Sequence, residues 1–337
     1  MKVNRHFSLT FVFGFPAVIA AMLLSLIAKN HFDSVEKDIS NEFQRIEEVF
    51  KRTTKIVTAL DYSFSNYYKS GNPLFLDHNK QVVDGLCQIW PIDSLLLAEG
   101  KTTDIPSVDI DYMLVGEESL CTETSSTYKS ASEKIALAPI LSFLSQLDEY
   151  HDGVHFIDKR GYVISSPEDF AKGLGKELLS TIKSRPYWQK TANNPDLLTL
   201  SGPAYRFDSL DRMISMTIPV FHKGEHQGML SVDIDAGKLL AIANEHLAGR
   251  IDIIDTTLTS PRDSAAFYHK IELEGVASHH AMYYELNLVD EARHFFVYEK
   301  DSLIVAIIVY LFSVTIFFML IPILNAVISK ILLLKIQ

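Results

Sequence analysis

The stretch MISMTIPVFHKGEHQGMLSVDID, residues 213–235, decides how this chain is read. Two runs rich in Ile, Val, Met and Thr flank a polar, glycine-bearing centre. That is the pattern of a β-hairpin, and it predicts a tip over Lys223 to Gly228. GVHFIDKRGYVISSP, residues 153–167, predicts a second hairpin turning at Lys159 to Gly161. Between the two lies EDFAKGLGKELLSTIKS, residues 168–184, which reads as helical. It leads into RPYWQKT, residues 185–191, read as a loop, and then SGPAYRF, residues 201–207, read as a strand with an exposed tyrosine. Short strands around a helical insert place the centre of the chain in the α+β class.

Working outward, the 337 residues carry a formal charge of −11 and are 47% hydrophobic, with much of the apolar content at the two ends. SLTFVFGFPAVIAAMLLSLIA, Ser8 to Ala28, has no charged residue and matches the roughly 20 residues that cross a bilayer as a helix. LIVAIIVYLFSVTIFFMLIPILNAVI, Leu303 to Ile328, is a second run of this kind. The first is longer than a signal-peptide core and places Leu26 where cleavage wants a small residue, so it is read as a retained anchor. Lys2 and Arg5 before the first run, with Lys330 and Lys335 after the second, predict cytoplasmic termini and an extracytoplasmic segment over 29–302.

After the first run, Phe32, Val35, Ile39, Phe43, Ile46, Phe50, Val57, Leu60, Phe64 and Tyr67 recur in steps of mostly three and four. They form one stripe on a long helical stalk. Such a stripe packs either on the protein's own sheet or against a second copy as a coiled coil. Residues 72 to about 130 read as irregular, with short apolar runs such as VVDGLCQIW. In residues 236–302 the runs RIDIID, AFYHKIEL, MYYELNL and HFFVYE read as strands.

The order IDKRGYVISS, RPYWQKT, SGPAYRF and ISMTIPVFHKGEHQGMLSVDID resembles the PAS-like Cache (PDC) sensor fold of bacterial chemoreceptors, histidine kinases and cyclases. The resemblance implies a long N-terminal helix packed on an antiparallel sheet, flanked by two transmembrane helices. It also implies a small-ligand pocket. The anchor, stalk, two spaced cysteines and short β-rich piece before the second apolar run further resemble the GAPES-type periplasmic sensors in front of membrane-bound GGDEF diguanylate cyclases. On this reading residues 1–7 are a cytoplasmic end, 8–28 the first span, 29–70 the stalk, 71–240 the sensor domain, 241–302 a small membrane-proximal module, 303–328 the second span and 329–337 a tail. The chain contains no GGDEF or GGEEF sequence, so it is expected to be the non-enzymatic input half of such a system, in a bacterial inner membrane.

The resemblance assigns Arg185, Tyr187, Trp188, Tyr205, Asp208 and Asp233 as candidate ligand-binding residues. Their chemistry suits a zwitterion such as an amino acid. A guanidinium is a forked donor for a carboxylate, aromatic rings wall an apolar part, and a carboxylate on a neighbouring strand receives an ammonium. A plainer alternative stays open: Trp188 and Tyr205 as core aromatics, Arg185 paired with Glu168 or Asp208, and Asp233 as a strand-end residue. In an oxidising compartment the two cysteines, Cys87 and Cys121, favour a disulfide over two separate buried thiols.

No phosphate-cradling glycine loop, nucleophile elbow or HExxH motif is present. His279 and His280 are adjacent, which on a strand sends them to opposite faces, so no metal or cofactor is expected. The acidic balance disfavours nucleic acid. The expected partners are a small ligand and a second copy through the stalk. The alternative is a ligand-free module that recognises a periplasmic protein.

Overall fold

A computed structural model describes residues 5–66, 78–91, 111–192, 198–205, 211–260 and 265–334. Tyr67 and Asp208, named above, lie outside these residues, as do Lys2 and Lys335. The chain divides into two compact units. One comprises residues 42–245 with 251–285, the other residues 1–41 with 246–250 and 286–337. The α+β class expected from the sequence is the one found.

Among the described residues of the larger unit nine strands form one sheet: β1 (His78–Val83), β2 (Leu86–Pro91), β3 (Met113–Glu117), β4 (His151–Asp158), β5 (Tyr162–Ser166), β6 (Leu198–Tyr205), β7 (Arg212–His222), β8 (Glu225–Asp235) and, later in the chain, β11 (Val276–Ala277). The spatial order is β1-β2-β3-β5-β4-β8-β7-β6-β11, antiparallel throughout except for the β11–β6 pair. The stretch that opened the reading is the β7–β8 hairpin, but its tip is only Lys223–Gly224, both at positive φ as a two-residue I′ turn requires. Gly228 lies inside β8 instead. A Cβ there would sit 2.3 Å from the Ile157 carbonyl oxygen, so the close β4–β8 approach needs a glycine. The region read as irregular contains the β1–β2 hairpin, turned by Asp84–Gly85 at positive φ, and Cys87 on β2 is bridged to Cys121.

The long helix α1 (Arg5–Asn66) covers one face of this sheet from Phe43 onward. Phe43, Ile46, Val49, Phe50, Val57, Leu60 and Phe64 are buried, and Phe64 stacks on Phe156 of β4. Thr54 reaches Met216 of β7, and Thr53 meets His151 of β4. From Ile39 to Phe64 the stripe is therefore buried within the chain, so over this length it packs on the protein's own sheet, one of the two readings the spacing allows. Phe32 alone of the stripe's large side chains near the apolar end stays more than half exposed.

On the same face as α1 lie α2 (Ser126–Lys134) and α3 (Ala138–Ser145), where Ser130 meets Tyr162, Lys134 pairs with Asp158 and Ser145 meets Ser166; on the opposite face lie three short helices, α4 (Glu168–Lys172), α5 (Lys176–Thr181) and α6 (Pro186–Ala192). Beneath α4 to α6, Leu86, Met113, Ile157, Val163, Leu174 and Met229 belong to a core cluster. RPYW is thus no loop: Pro186 opens α6, where its missing N–H costs nothing and its φ is already helical.

After α7 (Ala236–Asn244) come β9 (Arg250–Asp255), β10 (Ala265–Lys270) and β12 (His280–Glu285), a separate sheet in the order β10-β12-β9. HFFVYE, read as a strand, lies in helix α8 (Leu288–Tyr298). Its start is fixed by Asn287, whose side chain accepts from the Val289 and Asp290 amides. Helix α9 (Lys300–Leu334) follows. Among the described residues two helical segments are long and apolar enough to cross a membrane, and only 6% of the apolar window in each is buried, which sets them apart from core helices. Within the smaller unit Phe15 and Phe317 meet edge to face at 5.2 Å.

Candidate functional site

A cavity of about 170 Å³ lies between the sheet and the helical insert, lined from β4, β6, β7, β8, α4, α6 and the turn before α6. An engineered cavity of roughly 150 Å³ holds benzene, and drug-sized ligands occupy roughly 300–1,000 Å³. The cavity therefore suits a molecule of a few to about ten heavy atoms.

Its floor is set by strand parity and register. Asp233 and Ser231 share one face of β8; Ser215 pairs across to Asp233, and His155 of β4 to Ser231. The Ser231 hydroxyl donates to Asp233 Oδ1 at 2.8 Å, and His155 Nε2 lies 3.4 Å from Asp233 Oδ2. Burial alone would push the Asp233 carboxyl up. The hydrogen bond and charge of His155, with the hydroxyls of Ser215 and Ser231, outweigh it and hold the group below the usual carboxylate range. These three donors fill three of roughly four acceptor directions on a carboxylate, leaving room for one more donor.

His155 is itself held in place. Its Nδ1 lies 2.9 Å from Ser165 Oγ, its ring stacks on Phe170 at 4.0 Å, and a Cβ at Gly153 would meet the ring at 2.7 Å. Ser165, His155 and Asp233 have the composition of a hydrolytic triad. Yet Ser165 is fully buried and donates to the Pro167 carbonyl, so its oxygen faces no substrate space; the arrangement orients Asp233 instead.

The walls are Ile157, Phe170, Leu174, Ile182 and Met213. β6 contributes Ser201, Gly202, Ala204 and Tyr205, with its pairing to β7 irregular between Ser201 and Ala204. Gly202 has φ 109°, and a Cβ there would meet the Met213 carbonyl at 2.7 Å. This bulge re-aims the strand end over the cavity.

Of the residues singled out from sequence, Arg185, Tyr187, Tyr205 and Asp233 line this one cavity. Arg185 is exposed at the rim, with no side-chain hydrogen bond or ion pair among the described residues; Glu168 is engaged by Lys172. Burial pushes the Tyr187 phenol up, the Asp233 charge adds to this, and Arg185 opposes it. Tyr205 is 70% exposed, so it edges the mouth without walling it. Trp188 does not line the cavity. On a helix of 3.6 residues per turn it points about 100° away from Tyr187, and it packs into the core cluster beside His226. His155, Phe170, Ser201, Ser215 and Ser231 were not named from sequence.

The elements that frame the cavity are also tied to the three-stranded sheet. Lys190 of α6 donates to Asp255 of β9 at 2.6 Å. Burial would raise the Asp255 carboxyl, but the hydrogen bonds from Lys190 and Thr257 bring it down to about 2. His280 Nε2 on β12 donates to the Gly202 carbonyl at 2.7 Å.

No protein-family model matches the chain, and no curated protein matches it. Among solved structures it is similar to the sensory domain of the Campylobacter jejuni chemoreceptor Tlp3 with isoleucine bound, at 13% identity over 81% of this chain and 97% of that one, TM-score 0.42. It is also similar to the ligand-binding domain of the Pseudomonas fluorescens chemoreceptor CtaA in complex with L-isoleucine, at 13% identity over 46% of this chain and 78% of that one, TM-score 0.32. A third is the ligand-binding domain of the Pseudomonas aeruginosa amino acid chemoreceptor PctC in complex with GABA, at 18% identity over 35% of this chain and 49% of that one, TM-score 0.28.

Proposed function

We propose that the chain is the input module of a membrane-anchored sensor, and that the cavity between the sheet and α4–α6 binds a small molecule carrying an ammonium and a carboxylate. The observation that carries this reading is the polarity of the cavity. An oriented carboxylate at its floor, Asp233, has an acceptor direction to spare, a guanidinium stands at its rim on Arg185, and apolar side chains lie between. An ammonium would complete the Asp233 shell; a carboxylate would take the Arg185 fork.

The two exposed apolar helical segments support anchoring in a bilayer, with residues 29–302 on the outer side and both ends inside. No step in this role requires catalysis by the chain. The residues that resemble sensors of membrane-bound diguanylate cyclases point to cyclic-di-GMP production as the output. A stalk-mediated dimer would meet at Phe32 and Val35, the part of the stripe not buried within the chain.

Signal transfer needs an element with two positions, because a ligand shifts an equilibrium only by its differential affinity for the two states. Helix α6 and the β6 bulge qualify. Both touch the ligand space, and both are held to the three-stranded sheet, through Lys190–Asp255 and His280–Gly202. The test is a thermal-shift screen of the full chain in detergent against amino acids, amines, carboxylates and nucleosides. Zwitterions are expected to raise the melting temperature of the parent and not of Asp233→Asn. A flat screen with cooperatively melting protein would defeat the reading.

A further inference from the structure

A second cluster, in the smaller unit, has no part in the cavity. His31 lies on α1 just beyond the first apolar run, and Glu291 and His294 lie on α8 just before α9. One nitrogen of each histidine and a carboxylate oxygen of Glu291 all lie within 4.8 Å of one another. His31 and Glu291 are each 4% exposed.

Among the described residues, Glu291 Oε2 and both ring nitrogens of His294 are buried without a hydrogen-bond partner. Unsatisfied buried polar atoms on two neighbouring side chains require an explanation, and a bound ion would satisfy one on each. Geometry favours it. His31 Nε2 stands 3.2 Å from Glu291 Oε1, close to the roughly 3.3 Å edge of a tetrahedron with zinc-type bonds of about 2.0–2.1 Å. Glu291 and His294 are three apart on one helix, a spacing that aims both at a common point. The other face of the His31 ring looks onto a second carboxylate, with Nδ1 3.7 Å from Glu299 Oε1, the partner a metal-bound imidazole ordinarily has. Ring contacts fix both imidazoles: His294 stacks on Tyr298 at 4.0 Å, and His31 meets Phe295 edge to face at 5.1 Å.

We propose that His31, Glu291 and His294 bind a divalent transition metal of the zinc class, with Glu299 orienting His31. Two imidazoles and one carboxylate suit zinc, copper or nickel; calcium and magnesium demand shells of oxygen. A fourth position is left for water. The ion would fasten α1, where it leaves its apolar run, to α8, which feeds directly into the second apolar helix. Metal occupancy would then set how firmly the two candidate spans are joined. The sequence reading expected no metal because it weighed only the adjacent His279 and His280. His31 and His294 are 263 positions apart, and only the fold brings them together.

The test uses the full chain in detergent, purified on a tag without histidine, stripped with chelator, dialysed against zinc and measured by elemental analysis. One zinc per chain is expected for the parent and for Arg293→Ala. His294→Ala and Glu291→Gln should weaken zinc binding by about tenfold or more. His294→Ala removes a side chain without hydrogen bonds, so its metal-free melting should stay near that of the parent, separating loss of metal from loss of fold. Cobalt substitution should give the strong visible bands of a four-coordinate site in the parent only. Folded parent protein that retains no zinc, or variants that retain it undiminished, would overturn the proposal and leave the cluster as a His31–Glu291 ion pair.

Discussion

Asp233 owes its charge to its neighbours. Burial opposes ionisation, yet His155, Ser215 and Ser231 hold the carboxyl below its ordinary range, so the charged form is favoured in the folded state. The stability this contributes is present above the unfolded value, about 3.9, and is lost as pH falls through the depressed folded value. Asp233→Asn should therefore cost about 1.5–3 kcal/mol at neutral pH, the worth of charged hydrogen bonds, and the gap to the parent should narrow on acidification below about pH 4. Urea melts at several pH values check this, and a pH-independent gap would contradict it. Asp233, Arg185 and Tyr187 could be nominated because the resemblance to Cache sensors points to them and their chemistry suits a zwitterion. Sequence could not nominate Ser215 or His155, since a serine or histidine on a strand gains meaning only from what lies across the ladder. With the hairpin tip read over Lys223 to Gly228, the β7–β8 register moves by several residues and Ser215 no longer faces Asp233. Trp188 misled for the complementary reason: read as a loop, Tyr187 and Trp188 share a site; read as a helix, they diverge.

At the level of elements, turn chemistry decided what could be read. The hairpins around Lys159–Gly161 and Lys223–Gly224 stood out because glycine follows a polar residue between β-rich runs. The β1–β2 hairpin carried an equally good signal in Asp84–Gly85, but its first strand, HNKQVV, is exposed at the sheet edge and lacks apolar alternation. HFFVYE looked like a strand by composition, whereas Asn287 with Asp290 and Glu291 behind it is a helix start, and the cap outweighs the aromatic run. Gly228 makes the sharpest prediction here. Gly228→Ala would place a Cβ 2.3 Å from the Ile157 carbonyl and 3.0 Å from Asp158 Cα, so β4 and β8 must part. A loss of about 1–3 kcal/mol in denaturant midpoint stability is expected, as for overpacked cores. An unchanged midpoint would mean that the two strands do not approach as described.

For the whole molecule, the stalk stripe was legible as a stripe, but its partner was not, because packing on one's own sheet and on a second copy demand the same spacing. The structure resolves this for Ile46, which is completely buried within the chain. Ile46→Asp should accordingly prevent cooperative folding, since it buries an unpaired carboxylate; circular dichroism melts distinguish this from a folded monomer released from a dimer. The central claim is that one cavity reads both ends of a zwitterion, and calorimetric titration of the best-stabilising ligand tests it most directly. The ligand and its analogue lacking the ammonium would each be titrated into the parent and into Asp233→Asn. The account predicts that losing the ammonium and losing the Asp233 charge are not additive: either change weakens binding at least about tenfold, and the second adds little to the first. Independent, additive losses, or equal affinity of the ligand for both proteins, would show that Asp233 does not receive the ammonium.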